Sequence, residues 1–272
     1  MMYQHGSIMT ARFAFLLALL FLIPLRATAD APLAARPLPT LYIMGDSTVK
    51  NGTKGLQGWG DPIAAYFDSK KINVENRARG GRSSRTYLTE GLWDKVRVQI
   101  KPGDFVLMQF GHNDGGSPVR SDRASLKGNG DETQNIADGK TGKTETVHTY
   151  GWYLRQYIAG ARARGATSIV LSPVPRNIWN GGKVARNGND YGKWASEAAR
   201  AGGAAFVDLN AIVADRYDAL GQDKVKDFFP GDHTHINAAG AELNAASVVA
   251  GLNRLSGCPL CHDLSATGGA AR

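Results

Sequence analysis

Apolar residues in this chain come in short unbroken runs, separated by longer stretches in which they recur at helical spacing. The runs Leu41-Tyr42-Ile43-Met44, in segment 40–44, and Phe105-Val106-Leu107-Met108, in segment 104–110, show no alternation with polar residues. Such runs belong to strands covered on both faces, the habit of parallel sheets. Segments 72–75, 168–172 and 205–207 read as three further strands. Between them the spacing predicts helices over 59–69, with Ile63, Ala64, Tyr66 and Phe67 on one side, and over 92–100, 150–164 and 191–201. Helices over 209–220 and 238–255 follow, the second capped by Asn237. Segment 115–146 is polar and glycine-rich, a long insertion with weak structural signals.

Strands separated by helices mean a parallel sheet with helices on both faces. The expected fold is α/β, a three-layer α/β/α sandwich around a five-stranded parallel sheet, flavodoxin-like in its layering. In such a sheet the functional crevice lies beyond the carboxyl ends of the strands. That is a test of position for any candidate site.

Residues 1–29 stand apart. Arg12 precedes an uncharged apolar run over 13–23, and Ala27-Thr28-Ala29 has the small-x-small pattern of a cleavage site. The run is shorter than the roughly 20 apolar residues that span a bilayer. The expectation is a signal peptide cut before Asp30, leaving 30–272 as one domain, secreted or periplasmic, with no stable membrane association. With 43% apolar and 21% charged residues the chain can bury a core, which excludes disorder. Loss of Arg12 and Arg26 would lower the net charge from +8 to +6, a surface suited to acidic partners. Lys and Arg are scattered, with no run longer than two, so nucleic acid is not an expected partner.

The two cysteines are Cys258 and Cys261. In an exported chain a local disulfide is the first expectation, and a free pair the next. Cys258-Pro259-Leu260-Cys261-His262 also matches covalent haem attachment. Little chain follows to cover a haem, and zinc would need twice as many ligands as the pair offers.

Three polar clusters fall just after strands. Gly45-Asp46-Ser47-Thr48 follows the first, where Gly45 allows a tight turn and Ser47 stands at the mouth of the crevice. A serine there can be a nucleophile if a base is at hand. Arg79-Gly80-Gly81-Arg82 follows the second, and paired glycines let backbone N–H groups approach a ligand oxygen. Gly111-His112-Asn113-Asp114 follows the third, with an amide able to donate into the same space. The base comes late. In Asp232-His233-Thr234-His235 the carboxylate and the second imidazole are three apart, close enough for Asp232 to hold Nδ1 while Nε2 faces the nucleophile. A G-x-S-x-G elbow is absent, which removes the main motif of an α/β-hydrolase.

Gly45-Asp46-Ser47, Gly81, Gly111-His112-Asn113-Asp114 and Asp232-His233-Thr234-His235 together resemble the four sequence blocks of the SGNH, or GDSL-like, hydrolases. The variants GDST, GGRSSR, FGHNDGG and FFPGDHTHINAAGAE are similar to the rhamnogalacturonan acetylesterase branch, which removes acetyl groups from pectin. The similarity runs over about 41–252, and segment 117–146 departs from it. The resemblance implies an SGNH hydrolase fold. It also implies that Ser47 attacks the ester, that His235 carries its proton and that Asp232 orients the imidazole. The N–H groups of Ser47 and Gly81 and the amide of Asn113 would form the oxyanion hole. No metal or cofactor is implied.

Other residues keep two readings. Arg82 and Arg85 contact an acidic sugar or brace their loop. Asp232, His233 and His235 look like half of a metal site. Asp46 and His112 read as structural hydrogen-bonders, and His148 as a loop residue. Trp152 and Trp179 are packing residues or sugar platforms. The expected function is an exported carbohydrate O-acetylesterase whose partner is an acetylated, acidic polysaccharide. An esterase for xylan or lipid, or a silent polysaccharide-binding protein, are the alternatives. The sequence assigns no oligomeric state.

Overall fold

The computed structural model describes residues 37–137, 142–186 and 190–272. The expected signal peptide, 1–29, and its cleavage site lie outside them. Strand β1 (Thr40–Gly45) is followed by a 3-10 turn at Pro62–Tyr66 and by β2 (Asn73–Asn76). Helices α1 (Ser84–Thr89) and α2 (Leu92–Arg97) lead to β3 (Phe105–Gln109). A hairpin of β4 (Thr133–Ala137) and β5 (Thr144–His148) then leads to α3 (Tyr150–Ala163) and β6 (Thr167–Leu171). A short ribbon, β7 (Trp179–Asn180) with β8 (Lys183–Val184), precedes α4 (Tyr191–Gly202) and β9 (Ala205–Val207). Helices α5 (Leu209–Leu220), α6 (Gln222–Lys226), α7 (Ala238–Asn253) and α8 (Ala266–Ala270) follow.

The main sheet is five-stranded and parallel, in the order β2-β1-β3-β6-β9. Its apolar runs are continuous because alternate residues feed two cores. Leu41, Ile43, Leu107, Ile169 and Val207 pack on one side, with Val213 of α5 and Val248 of α7. Tyr42, Met44, Val106, Met108 and Val170 pack on the other, with Trp93 of α2, Leu154 and Tyr157 of α3, and Ala195 of α4. Leu107 is fully buried, and truncating it to Ala would cost about 2–5 kcal/mol. Helix starts are tied down by side chains: Ser83 makes a capping box on α1, Asp208 caps α5, and Asn237 caps α7 as expected.

Two expectations are corrected. The helix predicted over 59–69 shrinks to the 3-10 turn at Pro62–Tyr66. Both flanks are held elsewhere: the N–H groups of Trp59 and Gly60 donate to the carbonyls of Thr48 and Val49, and that of Asp68 to Asp263. The insertion 115–146 contains the β4–β5 hairpin, in which only Ile136 and Val147 are buried, so no apolar alternation announced it. Helix α1 was also unforeseen. At the C-terminus Cys258 and Cys261 are joined in a disulfide, which removes the free-thiol, haem and zinc readings.

Candidate active site

The ends of β1, β2 and β3 lie side by side in the sheet, so the loops that follow them converge. Beyond β1 the chain must turn at once. A Cβ on Gly45 would sit 2.6 Å from the Gln109 carbonyl oxygen and 2.4 Å from a Val49 methyl, so only glycine fits. Asp46, fully buried, accepts hydrogen bonds from Thr48 N–H (2.8 Å) and Thr48 Oγ1 (2.7 Å). Thr48 Oγ1 in turn accepts from Gln109 Nε2, whose Oε1 accepts from Trp59 Nε1 at 2.9 Å. This chain of bonds fixes the turn and leaves Ser47 half-buried at the crevice mouth. Asp46 is structural, as read from the sequence; its second carboxylate oxygen has no partner among the described residues.

Ser47 Oγ lies 2.9 Å from His235 Nε2, across 188 residues of sequence. His235 Nδ1 lies 2.7 Å from Asp232 Oδ2. Asp232 Oδ1 accepts from the N–H groups of Thr234 (2.6 Å) and His235 (2.7 Å), so one tight turn locks the carboxylate and the imidazole together. Partial burial would raise the Asp232 carboxyl, but the hydrogen bonds from the His235 ring, His235 N–H and Thr234 N–H outweigh it and pull it down to about 2.

Gly81, at φ +75°, takes a left-handed turn that suits glycine. Among the described residues the N–H groups of Ser47 and Gly81 donate to no protein acceptor. Asn113 Nδ2 donates to the Arg82 carbonyl at 3.1 Å, and its Oδ1 accepts from Arg123 Nη1 at 3.0 Å. One amide hydrogen is left for the crevice. Ser47, Gly81, Asn113 and His235 line that crevice together, with a volume of about 670 Å³. Lys50, Arg79, Arg82 and Arg123 supply its charge, and Leu56 and Ala78 are the apolar side chains among its lining residues.

Arg82 borders this space, its Nε 2.9 Å from Glu90 Oε2. Arg85 is a correction. It is 2% exposed, paired with Glu145 at 2.6 Å and bonded to the Ala124 carbonyl at 2.8 Å, so it braces the insertion against α1. It is not among the residues that line the crevice and is one of those that line a neighbouring groove. His233 turns away from His235 toward Arg176, with Nε2 and Nη1 3.5 Å apart. His112 donates nothing and accepts nothing through Nε2 among the described residues, and burial lowers its pKa. His148 ends β5 and stacks on Trp152 at 3.6 Å, and Trp179 Nε1 donates to Asn177. Lys50 and Arg123 went unnoticed in the sequence, and Arg79, though part of the second cluster, carried no role of its own there. No spacing rule could have found Arg123, which reaches the site from the insertion.

A hydroxyl within hydrogen-bond reach of an imidazole, that imidazole held by a carboxylate, and unpaired donors beside the hydroxyl are the parts of an acyl-transfer centre. Residues 43–243 match the model of the GDSL-like lipase/acylhydrolase family. The chain belongs to that family and is an esterase. It is 38% identical over 207 residues to the rhamnogalacturonan acetylesterase of Emericella nidulans, covering 76% of this chain and 81% of that one. It is 31% identical to the probable rhamnogalacturonan acetylesterase YesY of Bacillus subtilis, covering 82% and 96% of the two chains. The crystal structure of Bacillus subtilis YxiM superposes with a TM-score of 0.65 at 25% identity, over 80% of this chain and 57% of that longer one. The acetylxylan esterase Axe2 of Geobacillus stearothermophilus shares the fold, with a TM-score of 0.51 at 17% identity over 78% and 92% of the chains.

Proposed function

We propose that this chain is an exported carbohydrate O-acetylesterase that removes acetyl groups from an acetylated, acidic pectic polysaccharide of the rhamnogalacturonan type. The observation that carries the chemistry is the unbroken relay Ser47–His235–Asp232, with both links under 3 Å. Two observations support the substrate: relatives above 30% identity named for rhamnogalacturonan, and a crevice lined by four cationic side chains. The same crevice favours a sugar over a lipid, since most of its lining residues are polar or charged and Leu56 and Ala78 are the apolar side chains among them. Export rests on the signal-peptide pattern of 1–29.

In the proposed mechanism Ser47 Oγ attacks the acetyl carbonyl carbon as its proton passes to His235 Nε2. The carbonyl oxygen becomes an oxyanion, held by Ser47 N–H, Gly81 N–H and Asn113 Nδ2. The imidazolium, steadied by Asp232, gives its proton to the sugar oxygen, which leaves as an alcohol. Water then attacks the acetyl-Ser47 ester with His235 again as base, and acetate departs.

Acetate release should be measured across acetylated pectins and xylans, with p-nitrophenyl acetate as the small reference ester. Acetylated rhamnogalacturonan should be the best polymer. Ser47→Ala should lose at least 99.9% of turnover, on the order of the 10³-fold or greater effect of removing a nucleophile. Retention of a tenth of the wild-type rate would reject Ser47, and a preference for xylan would reject the substrate.

A further inference from the structure

We infer that Arg123 is a positioning residue of the oxyanion hole: it holds the Asn113 amide in its donating orientation and sets a positive charge behind it. This rests on the roles given above to Ser47, Gly81 and Asn113. An asparagine amide has two faces of opposite character, and flipping it would aim Oδ1 at the developing oxyanion. Arg123 decides the orientation, because a guanidinium carries donors only and its Nη1, 3.0 Å away, can be met only by Oδ1. The Arg82 carbonyl completes the choice from the other side by accepting from Nδ2. A flip would put an NH₂ group against the guanidinium and a carbonyl against a carbonyl.

A second distance places the same cation near Gly81 as well. For a Cβ built on Gly81, the nearest heavy atom is Arg123 Nη1, at 4.0 Å. The guanidinium therefore stands beside both Gly81 and Asn113, which come from the loops after β2 and β3. A hydrogen bond from a cation to Oδ1 draws electron density out of the amide and makes its remaining N–H a stronger donor. The effect grows when a bound substrate excludes water from the crevice. Arg123 itself is tied to the site's frame. Its N–H meets Ser121 Oγ at 3.3 Å, and two residues on, Ser125 N–H donates to the Asp114 carbonyl at 3.1 Å, next to Asn113. The insertion thereby contributes to the chemistry of the site and not only to its rim.

The test is a double-mutant cycle on p-nitrophenyl acetate, an ester too small to need a polymer subsite. Arg123→Ala should lower kcat about tenfold and leave KM within twofold, a smaller loss than the roughly 10²–10³-fold expected when a donor itself is removed in Asn113→Ala. Added to Asn113→Ala, it should lower kcat by less than about twofold further, because residues that act as a unit are not additive. Arg123→Lys, which keeps a donor-only cation, should recover part of the loss. Arg123 is exposed, so the unfolding midpoint should not move. Fully additive losses would overturn the inference, as would a defect confined to KM on polymer. A lowered unfolding midpoint with additive losses would mark Arg123 as structural and overturn it too. If Ser47→Ala kept its turnover, the reading of the site would fall and the inference with it.

Discussion

At the scale of single residues the site turns on where one proton goes. In the proposed mechanism Ser47 works only while His235 Nε2 is free to take its proton, and Asp232 secures that by occupying Nδ1. The Asp232 carboxyl, held down at about 2, is depressed below its ordinary 3.8. Its contribution to the fold is therefore present above pH 3.8 and lost as pH falls through about 2. With the side chain 45% exposed that contribution is small, so in the proposed mechanism its importance is orientation. Asp232→Asn should then lose less activity than His235→Ala, since the first spoils the tautomer and the second removes the proton carrier. Comparison of kcat/KM for the two variants checks this, and a worse Asp232→Asn would invert the division of roles. Residues of this kind were legible because their chemistry is local: Asp232 and His235 share a turn, and Gly45 and Ser47 a strand end. Arg85 was not, since its fate depends on Glu145, 60 positions away on a hairpin that its own polar sequence conceals.

At the scale of elements, every strand of the main sheet and the helices α3, α4, α5 and α7 were readable to within a few residues. Their patterns report burial, and burial is what holds them. The misread segment at 59–69 fails for the complementary reason: its pattern is helical, but its ends bond to the Ser47 turn and to the C-terminal segment. Asp114 shows how such long-range ties can carry a pH signature. It is buried at the junction of three elements, accepting from Ser84 N–H and Oγ at the start of α1 and from Ser125 Oγ of the insertion. Burial pushes its carboxyl up to about 7, against the pull of those hydrogen bonds and with the Asp46 carboxylate adding to the rise. The folded chain then keeps this proton where the unfolded chain, at 3.8, has lost it. Stability from this group is full below pH 3.8 and is lost as pH rises through about 7, by at most about 4 kcal/mol. The melting temperature of Asp114→Asn should accordingly fall less than that of the wild type between pH 4 and pH 8, roughly the window between those two values. Parallel curves for the two proteins would show that Asp114 does not titrate there.

At the scale of the whole molecule the question is what the positive charge accomplishes. A net +8, or +6 without Arg12 and Arg26, says only that the surface is basic. The structure adds where part of that charge lies: Lys50, Arg79, Arg82 and Arg123 ring the crevice that holds Ser47 and His235. Arg82 is partly neutralised by Glu90, while Lys50 and Arg79 form no ion pair among the described residues. A concave wall of one sign focuses its field outward and raises the encounter rate of an oppositely charged polymer. Raising salt from about 0.01 M to 0.5 M, which shrinks the screening length from about 30 Å to a few ångströms, should therefore lower kcat/KM for acetylated polyuronate several-fold. Turnover of p-nitrophenyl acetate should change little, because a neutral ester is not steered and the chemical step is the same. Charge reversal at Arg79 should reproduce part of the loss on polymer at low salt, whereas reversal at the exposed Lys101, which precedes β3 at the opposite end of the strands, should not. Equal salt dependence for polymer and small ester would mean that the cations serve solubility alone. That result would leave the esterase chemistry intact and remove the electrostatic argument for an acidic substrate.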